Sequence, residues 1–192
     1  MYSQRDEEEV ILKHLPATGR FIDIGAYGFK ELSNTRALAE KGWSGVLVEP
    51  CPEECDKLIK NTKGFNVEIV NAVITPNYEG LIKFYASPNA VSSIDEAHVS
   101  VWKPHVPFYP IWAMALPVKE LFEQFGLKFD FVSIDCEGIS AAILKAIDLK
   151  TVGATLVCVE ADKHETAITD YFIQQGYSVI HKTAENLIAK RN

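Results

Sequence analysis

Short apolar runs, each closed by a carboxylate, an asparagine or a glycine and followed by a helical pattern, recur along the whole chain. Phe21 to Ile24 runs into Gly25, Val46 to Val48 into Glu49-Pro50, and Val67 to Val70 into Asn71-Ala72. Phe129 to Ile134 ends in Asp135-Cys136-Glu137-Gly138, and Thr155 to Val159 ends in Glu160. Runs this short, with no polar alternation, fit strands buried on both faces. Between them, apolar residues at helical spacing predict helices over 4–14, 32–41, 52–62, 118–126, 139–147 and 166–175. Ser33 is the expected cap of the second, and Glu53 and Glu54 favour the first turn of the third. Alternating strands and helices imply an α/β fold, a doubly wound and mostly parallel sheet of the Rossmann-like kind. The last two strands, Tyr177 to Ile180 and Leu187 to Lys190, are joined too briefly for a crossover and predict an antiparallel C-terminal hairpin.

Two stretches depart from the alternation. Ala72 to Thr75 and Leu81 to Tyr85 flank an Asn-Tyr-Glu-Gly turn and predict a hairpin. Residues 86–117 hold five prolines with Trp102, His105, Phe108, Tyr109 and Trp112, and read as an irregular segment suited to a substrate lid. No linker or repeat divides the 192 residues, so one domain over 1–192, with an N-terminal helix within 1–18, is expected.

The net charge of −7 would repel a phosphate backbone, which argues against nucleic acid as a partner. No stretch has the apolar length of a membrane span, and the N-terminus lacks the pattern of a secretory signal, so no membrane partner and a cytoplasmic location are expected. Cys51 and Cys55 share one helix face but lack a second thiol pair, and read as reduced structural thiols. No exposed strand or heptad specifies an oligomeric state.

In a doubly wound sheet, ligands bind beyond the carboxyl ends of the strands. Gly25 and Ala26 there allow close backbone approach, and Glu49, twenty-six residues beyond Asp23, is placed to accept hydrogen bonds from ribose hydroxyls. The loop Gly25-Ala26-Tyr27-Gly28-Phe29-Lys30 lacks the Gly-x-Gly-x-x-Gly spacing that brings a pyrophosphate onto a helix. S-adenosylmethionine carries no phosphate, and its ammonium can be neutralised by a carboxylate such as Asp23.

The block FIDIGAYGFKELSNTRALAEKGWSGVLVEP at 21–50 resembles the first motif block of the FkbM-type methyltransferases. FDFVSIDCEGISAAILKAID at 129–148 resembles their second, and NAVITPNYEGLIKFYASPNAVSSID at 71–95 is similar to the segment between. The resemblance implies a class I methyltransferase fold, S-adenosylmethionine as cofactor, and O-methylation of a hydroxyl on a sugar, glycan or natural product. It places the cofactor on Asp23, Gly25, Ala26, Tyr27, Ser33, Asn34, Thr35, Glu49, Pro50, Ala72, Val73 and Asp135. Tyr27 and Phe29 stand where many members carry a second loop glycine.

Methyl transfer to oxygen needs a nucleophile in line with the sulfonium carbon and an outlet for the hydroxyl proton. Asp135 and Glu137 are the candidate catalytic acids, and Asp135, Glu160 and Asp162 the candidate ligands for Mg2+ or Mn2+. The alternative for Glu137 is a role at the N-terminus of the following helix. His98, His105 and His164 are further bases by residue type. Two other functions fit the same residues: an inactive module that binds the cofactor or a glycan, and an NAD-dependent sugar-modifying enzyme.

Overall fold

The computed structural model describes residues 1–192. Helix α1 (Glu7–His14) precedes strand β1 (Arg20–Ile24), helix α2 (Arg36–Glu40), strand β2 (Ser44–Val48), helix α3 (Pro52–Asn61) and strand β3 (Val67–Val70). Strands β4 (Val73–Thr75) and β5 (Gly80–Ala86), helix α4 (Glu96–Trp102) and strand β6 (Tyr109–Pro117) follow. Helix α5 (Val118–Phe125), strand β7 (Phe131–Ile134), helices α6 (Ser140–Ala146) and α7 (Leu149–Val152), and strand β8 (Leu156–Glu160) resume the alternation. Helix α8 (Glu165–Gln175) and strands β9 (Tyr177–Lys182) and β10 (Asn186–Arg191) complete it.

Seven strands form one sheet in the order β3-β2-β1-β7-β8-β10-β9. The first five run parallel, while β10 inserts between β8 and β9 and pairs antiparallel with both. The expected fold class and C-terminal hairpin are both present. Alternate residues of each strand serve opposite faces. Ile22, Val46, Val132 and Val157 pack into one buried cluster with Leu121, Ile143, Leu144 and Phe172 of α5, α6 and α8. Phe21, Leu47, Phe131 and Leu156 pack into another with Ile11, Leu38 and Leu58 of α1, α2 and α3. Both faces of the sheet's centre are therefore dry, which explains its central strands without polar alternation.

Three local expectations are corrected. β4 and β5 do not pair with each other: both flank β6, β4 in parallel and β5 antiparallel, in a second sheet of order β4-β6-β5. The turn between them is real, with Thr75 Oγ1 accepting the Tyr78 N–H at 2.9 Å, but strand pairing was decided by a third strand distant in sequence.

Residues 86–117 are not irregular, since they hold α4 and β6. Hydropathy conceals β6 because its inward residues are small or medium (Ile111, Ala113, Ala115) and its outward ones large and apolar (Trp112, Met114). Pro110 is accommodated because that end of β6 has a neighbour only on its β5 side. Helix α2 starts at Arg36, not at 32, because Leu32 takes a left-handed backbone with φ of 57°. Ser33 still serves the helix start, its Oγ accepting the Arg36 N–H at 3.1 Å.

Candidate active site

Strand order reverses between β1 and β7, whose neighbours lead away in opposite directions, so a crevice opens beyond their carboxyl ends. It encloses about 920 Å³ including the space open to solvent. Gly25, Glu49 and Asp135 form its strand-end wall, Ala72, Val73 and Ile139 give it apolar surface, and Ser92 and Ser93 face them from the segment before α4.

The wall depends on one glycine. Gly25 has φ of 91°, and a Cβ built there would run into the Asp135 carbonyl oxygen. Its N–H and that of Ala26 both donate to the Val48 carbonyl, at 2.9 and 3.0 Å, tying the first loop to the end of β2. The loop then places Tyr27 and Phe29 in the left-handed region, with Phe29 wholly buried as its anchor.

Glu49 is buried at the end of β2. One carboxylate oxygen accepts the Tyr27 N–H at 3.0 Å, and the other accepts the Cys51 N–H at 2.8 Å. Burial pushes its pKa up to about 7, against the opposing pull of these two donors. Each oxygen retains a lone pair able to take a ligand hydroxyl.

Asp23 is buried on β1, and Thr35 donates to its Oδ2 at 2.6 Å. Burial raises its pKa to about 6, while hydrogen bonds from Thr35 and Ser133 hold it down. Asn34 reaches Ser133 Oγ at 3.4 Å. Asp23, Ala26 and the Ser33-Asn34-Thr35 trio do not line the crevice.

Asp135, Glu137 and Glu160 converge, each with a carboxylate oxygen within 4.8 Å of the others. Adjacent parallel strands β7 and β8 bring the first and last together. Ser140 joins them to the following helix, its Oγ accepting the Cys136 N–H and donating to Glu160 Oε2, both at 2.8 Å. All three carboxyls are held well above the ordinary range, first by burial and then by nearby carboxylate charge: Asp23 and Asp162 on Asp135, Asp135 and Asp162 on Glu137, and Asp135, Glu137 and Asp162 on Glu160. Groups that retain protons near neutrality can exchange them with a substrate, and a carboxylate set of this kind suits a hard divalent cation.

The sequence model of the methyltransferase FkbM domain family matches residues 23–179. The chain belongs to this family. A comparison with curated proteins finds no match. Among solved structures, a hypothetical protein of Thermus thermophilus is similar over 99% of this chain and 87% of its own, with 18% identity and a TM-score of 0.55. The precorrin-6y C5,15-methyltransferase of Geobacter metallireducens GS-15 is similar over 100% and 93%, with 14% identity and a TM-score of 0.52. The 1,6-didemethyltoxoflavin-N1-methyltransferase of Burkholderia thailandensis, solved with S-adenosylhomocysteine, is similar over 98% and 78%, with 10% identity and a TM-score of 0.51. At these identities the likeness is one of fold.

In this FkbM domain, Gly25, Tyr27, Glu49, Pro50, Ala72, Val73, Asp135 and Glu137 line the crevice as a set. Glu160 joins through its contact with Asp135 and Glu137, whereas Asp162 is exposed and stands outside their close grouping. The aromatic residues expected on a lid do not line the crevice: Tyr109 and Trp112 project from the outer face of β6, 59% and 71% exposed. The same segment instead contributes Ala90, Ser92, Ser93 and Ile94. His98, a base by residue type alone in the sequence, has its side chain nine-tenths buried with Nε2 3.2 Å from Glu137 Oε2. A histidine on a short helix in a proline-rich stretch carries no local sign of that contact. His105 and His164 are exposed. No helix is long and apolar enough to cross a membrane.

Proposed function

We propose that this FkbM domain transfers a methyl group from S-adenosylmethionine to a hydroxyl of a sugar, glycan or natural product. The observation that carries the reading is one crevice holding an adenosine-type wall and a proton-retaining acid cluster side by side. Gly25 presents bare backbone, Glu49 offers two oxygens to ribose hydroxyls, and Ala72, Val73 and Ile139 supply apolar surface for a base. The S-adenosylhomocysteine held by the Burkholderia thailandensis relative supports the same donor.

S-adenosylmethionine supplies an activated methyl group on sulfur. The chain's own part is to hold the acceptor oxygen in line with it and to receive the hydroxyl proton, with Asp135 and Glu137 nearest the task. Divalent-metal assistance through the same carboxylates fits their oxygen-rich chemistry. A small-molecule or glycan acceptor is in keeping with the mixed polar and apolar lining of the crevice and with a net charge of −7.

Titration calorimetry with S-adenosylmethionine, followed by detection of S-adenosylhomocysteine in the presence of a panel of polyhydroxyl acceptors, tests the proposal. Binding with turnover supports it, and absence of S-adenosylmethionine binding refutes it. One observation favours a second reading: Tyr27 lines the crevice from a left-handed loop position where a relative's glycine would leave room. An inactive cofactor-binding module predicts binding heat with no S-adenosylhomocysteine on any acceptor. An NAD-dependent enzyme has no support, because the first loop lacks the pyrophosphate-binding spacing and the family is one of methyltransferases.

A further inference from the structure

We infer that His98 completes a divalent-cation site with Asp135, Glu137 and Glu160. Three carboxylates whose oxygens approach within 4.8 Å are an arrangement that many acidic surfaces show without an ion. The second observation is the histidine. Its side chain is nine-tenths buried, and Nε2 has no hydrogen-bond partner. It points at Glu137 Oε2 from 3.2 Å, outside hydrogen-bond alignment. An imidazole nitrogen buried without a partner is costly. Nε2 meets the cluster through Glu137 and lies outside the close grouping of the three carboxylates, so a small inward shift of the ring would let one cation satisfy the nitrogen and cancel the repulsion among the acids together.

The fold holds α4 against this cluster through Gly138. This residue has φ of 86°, and a Cβ there would press within 3.1 Å of His98 Cβ and 2.9 Å of Asp95 Oδ2. Ser93 Oγ donates to the Glu137 carbonyl at 2.6 Å, fastening the entry to α4 onto the same loop. The charged groups acting on the ring are Asp95 on its own helix, Asp162 and Lys163 after β8, and Glu137 after β7. One nitrogen among three carboxylates suits Mn2+ better than Mg2+, which prefers oxygen and water throughout.

The role of this site in methyl transfer rests on the proposed function above. A cation held there would ease transfer of the acceptor's hydroxyl proton to the acid cluster as the oxygen–carbon bond forms. The carbon–sulfur bond breaks with its electron pair on sulfur. The site itself is testable without any acceptor.

The experiment is a Mn2+ titration of chelator-treated full-length protein followed by electron paramagnetic resonance. Pulsed spectra of the bound ion then read coupling to an imidazole nitrogen. The expected result is one Mn2+ per chain with nitrogen coupling. His98→Ala should lose the coupling and weaken binding more than tenfold. Glu160→Gln should weaken binding similarly, and exposed His105→Ala should bind as the natural protein does. The nitrogen signature of the unaltered protein decides the matter even if His98→Ala does not fold. No stoichiometric binding, or bound Mn2+ without nitrogen coupling, overturns the inference. S-adenosylmethionine titrated into the same samples separates the two ideas: cofactor binding without Mn2+ binding sinks only the cation site, and the reverse sinks only the donor.

Discussion

Gly25 and Asp135 end neighbouring parallel strands, and the place a Gly25 side chain would fill is already taken by the Asp135 carbonyl oxygen. The left-handed backbone of Gly25 adds a second bar to substitution. Gly25→Ala should therefore destabilise the fold by about 2–4 kcal/mol, from strain and overpacking together. Thermal denaturation should show a fall of roughly 5–15 °C. A melting temperature unchanged within error would mean that the two strand ends are not in contact.

Glu49 has both oxygens directed by backbone N–H groups and still lines the crevice. Glu49→Ala should weaken S-adenosylmethionine binding more than tenfold, about 1.4 kcal/mol or more. Calorimetry on the two proteins checks this, and equal affinity would remove Glu49 from the cofactor site.

Asp135 belongs both to the crevice wall and to the acid cluster. Asp135→Asn keeps the size and loses the charge, so S-adenosylhomocysteine formation should fall at least a hundredfold while cofactor affinity stays within a fewfold. Full turnover by the variant would contradict a part for Asp135 in the chemistry.

Asp23 carries a folded pKa raised to about 6 from an ordinary 3.8. The folded chain therefore keeps this proton longer than the unfolded one. Its stabilising effect is complete below pH 4 and is lost as pH rises through 6, amounting to about 3 kcal/mol by neutrality. Denaturation of Asp23→Asn beside the natural protein should show the variant gaining relative stability from pH 4 to pH 7. A difference independent of pH would show that Asp23 is not held in a buried, proton-retaining state.

Ser140 bridges the Cys136 N–H and Glu160 from the start of α6. Ser140→Ala strands a buried donor and removes a proton given to the carboxylate, for a loss of about 1–3 kcal/mol. It should also raise the Glu160 pKa further, because this hydroxyl is the contact holding it down. Chemical denaturation measures the first effect and carboxyl titration by NMR the second. A fully stable variant would mean the bridge is not formed.

The chain's local chemistry determined more of this protein than its length would imply. Strands such as Phe21 to Ile24 and Phe131 to Ile134 are apolar on both faces, and only a covered parallel sheet gives such runs enough buried contact. The acids that end them follow from the same alternation, since the sheet's carboxyl edge is where the apolar run must stop. Glu49 and Asp135 were therefore legible, and Glu160 with them, because adjacent strands of known order end together.

Tertiary structure alone decided the rest. β4 and β5 found β6 rather than each other, because pairing depends on which edges meet in space and not on the turn between them. Thr35 turned to Asp23 and Ser33 to the start of α2, where a motif alone cannot say which way a hydroxyl points. His98 reached Glu137 across nearly forty residues because Gly138 has no side chain to keep α4 away. Periodicity reports what a residue does to its near neighbours in the chain, and contacts of this range leave no periodic trace.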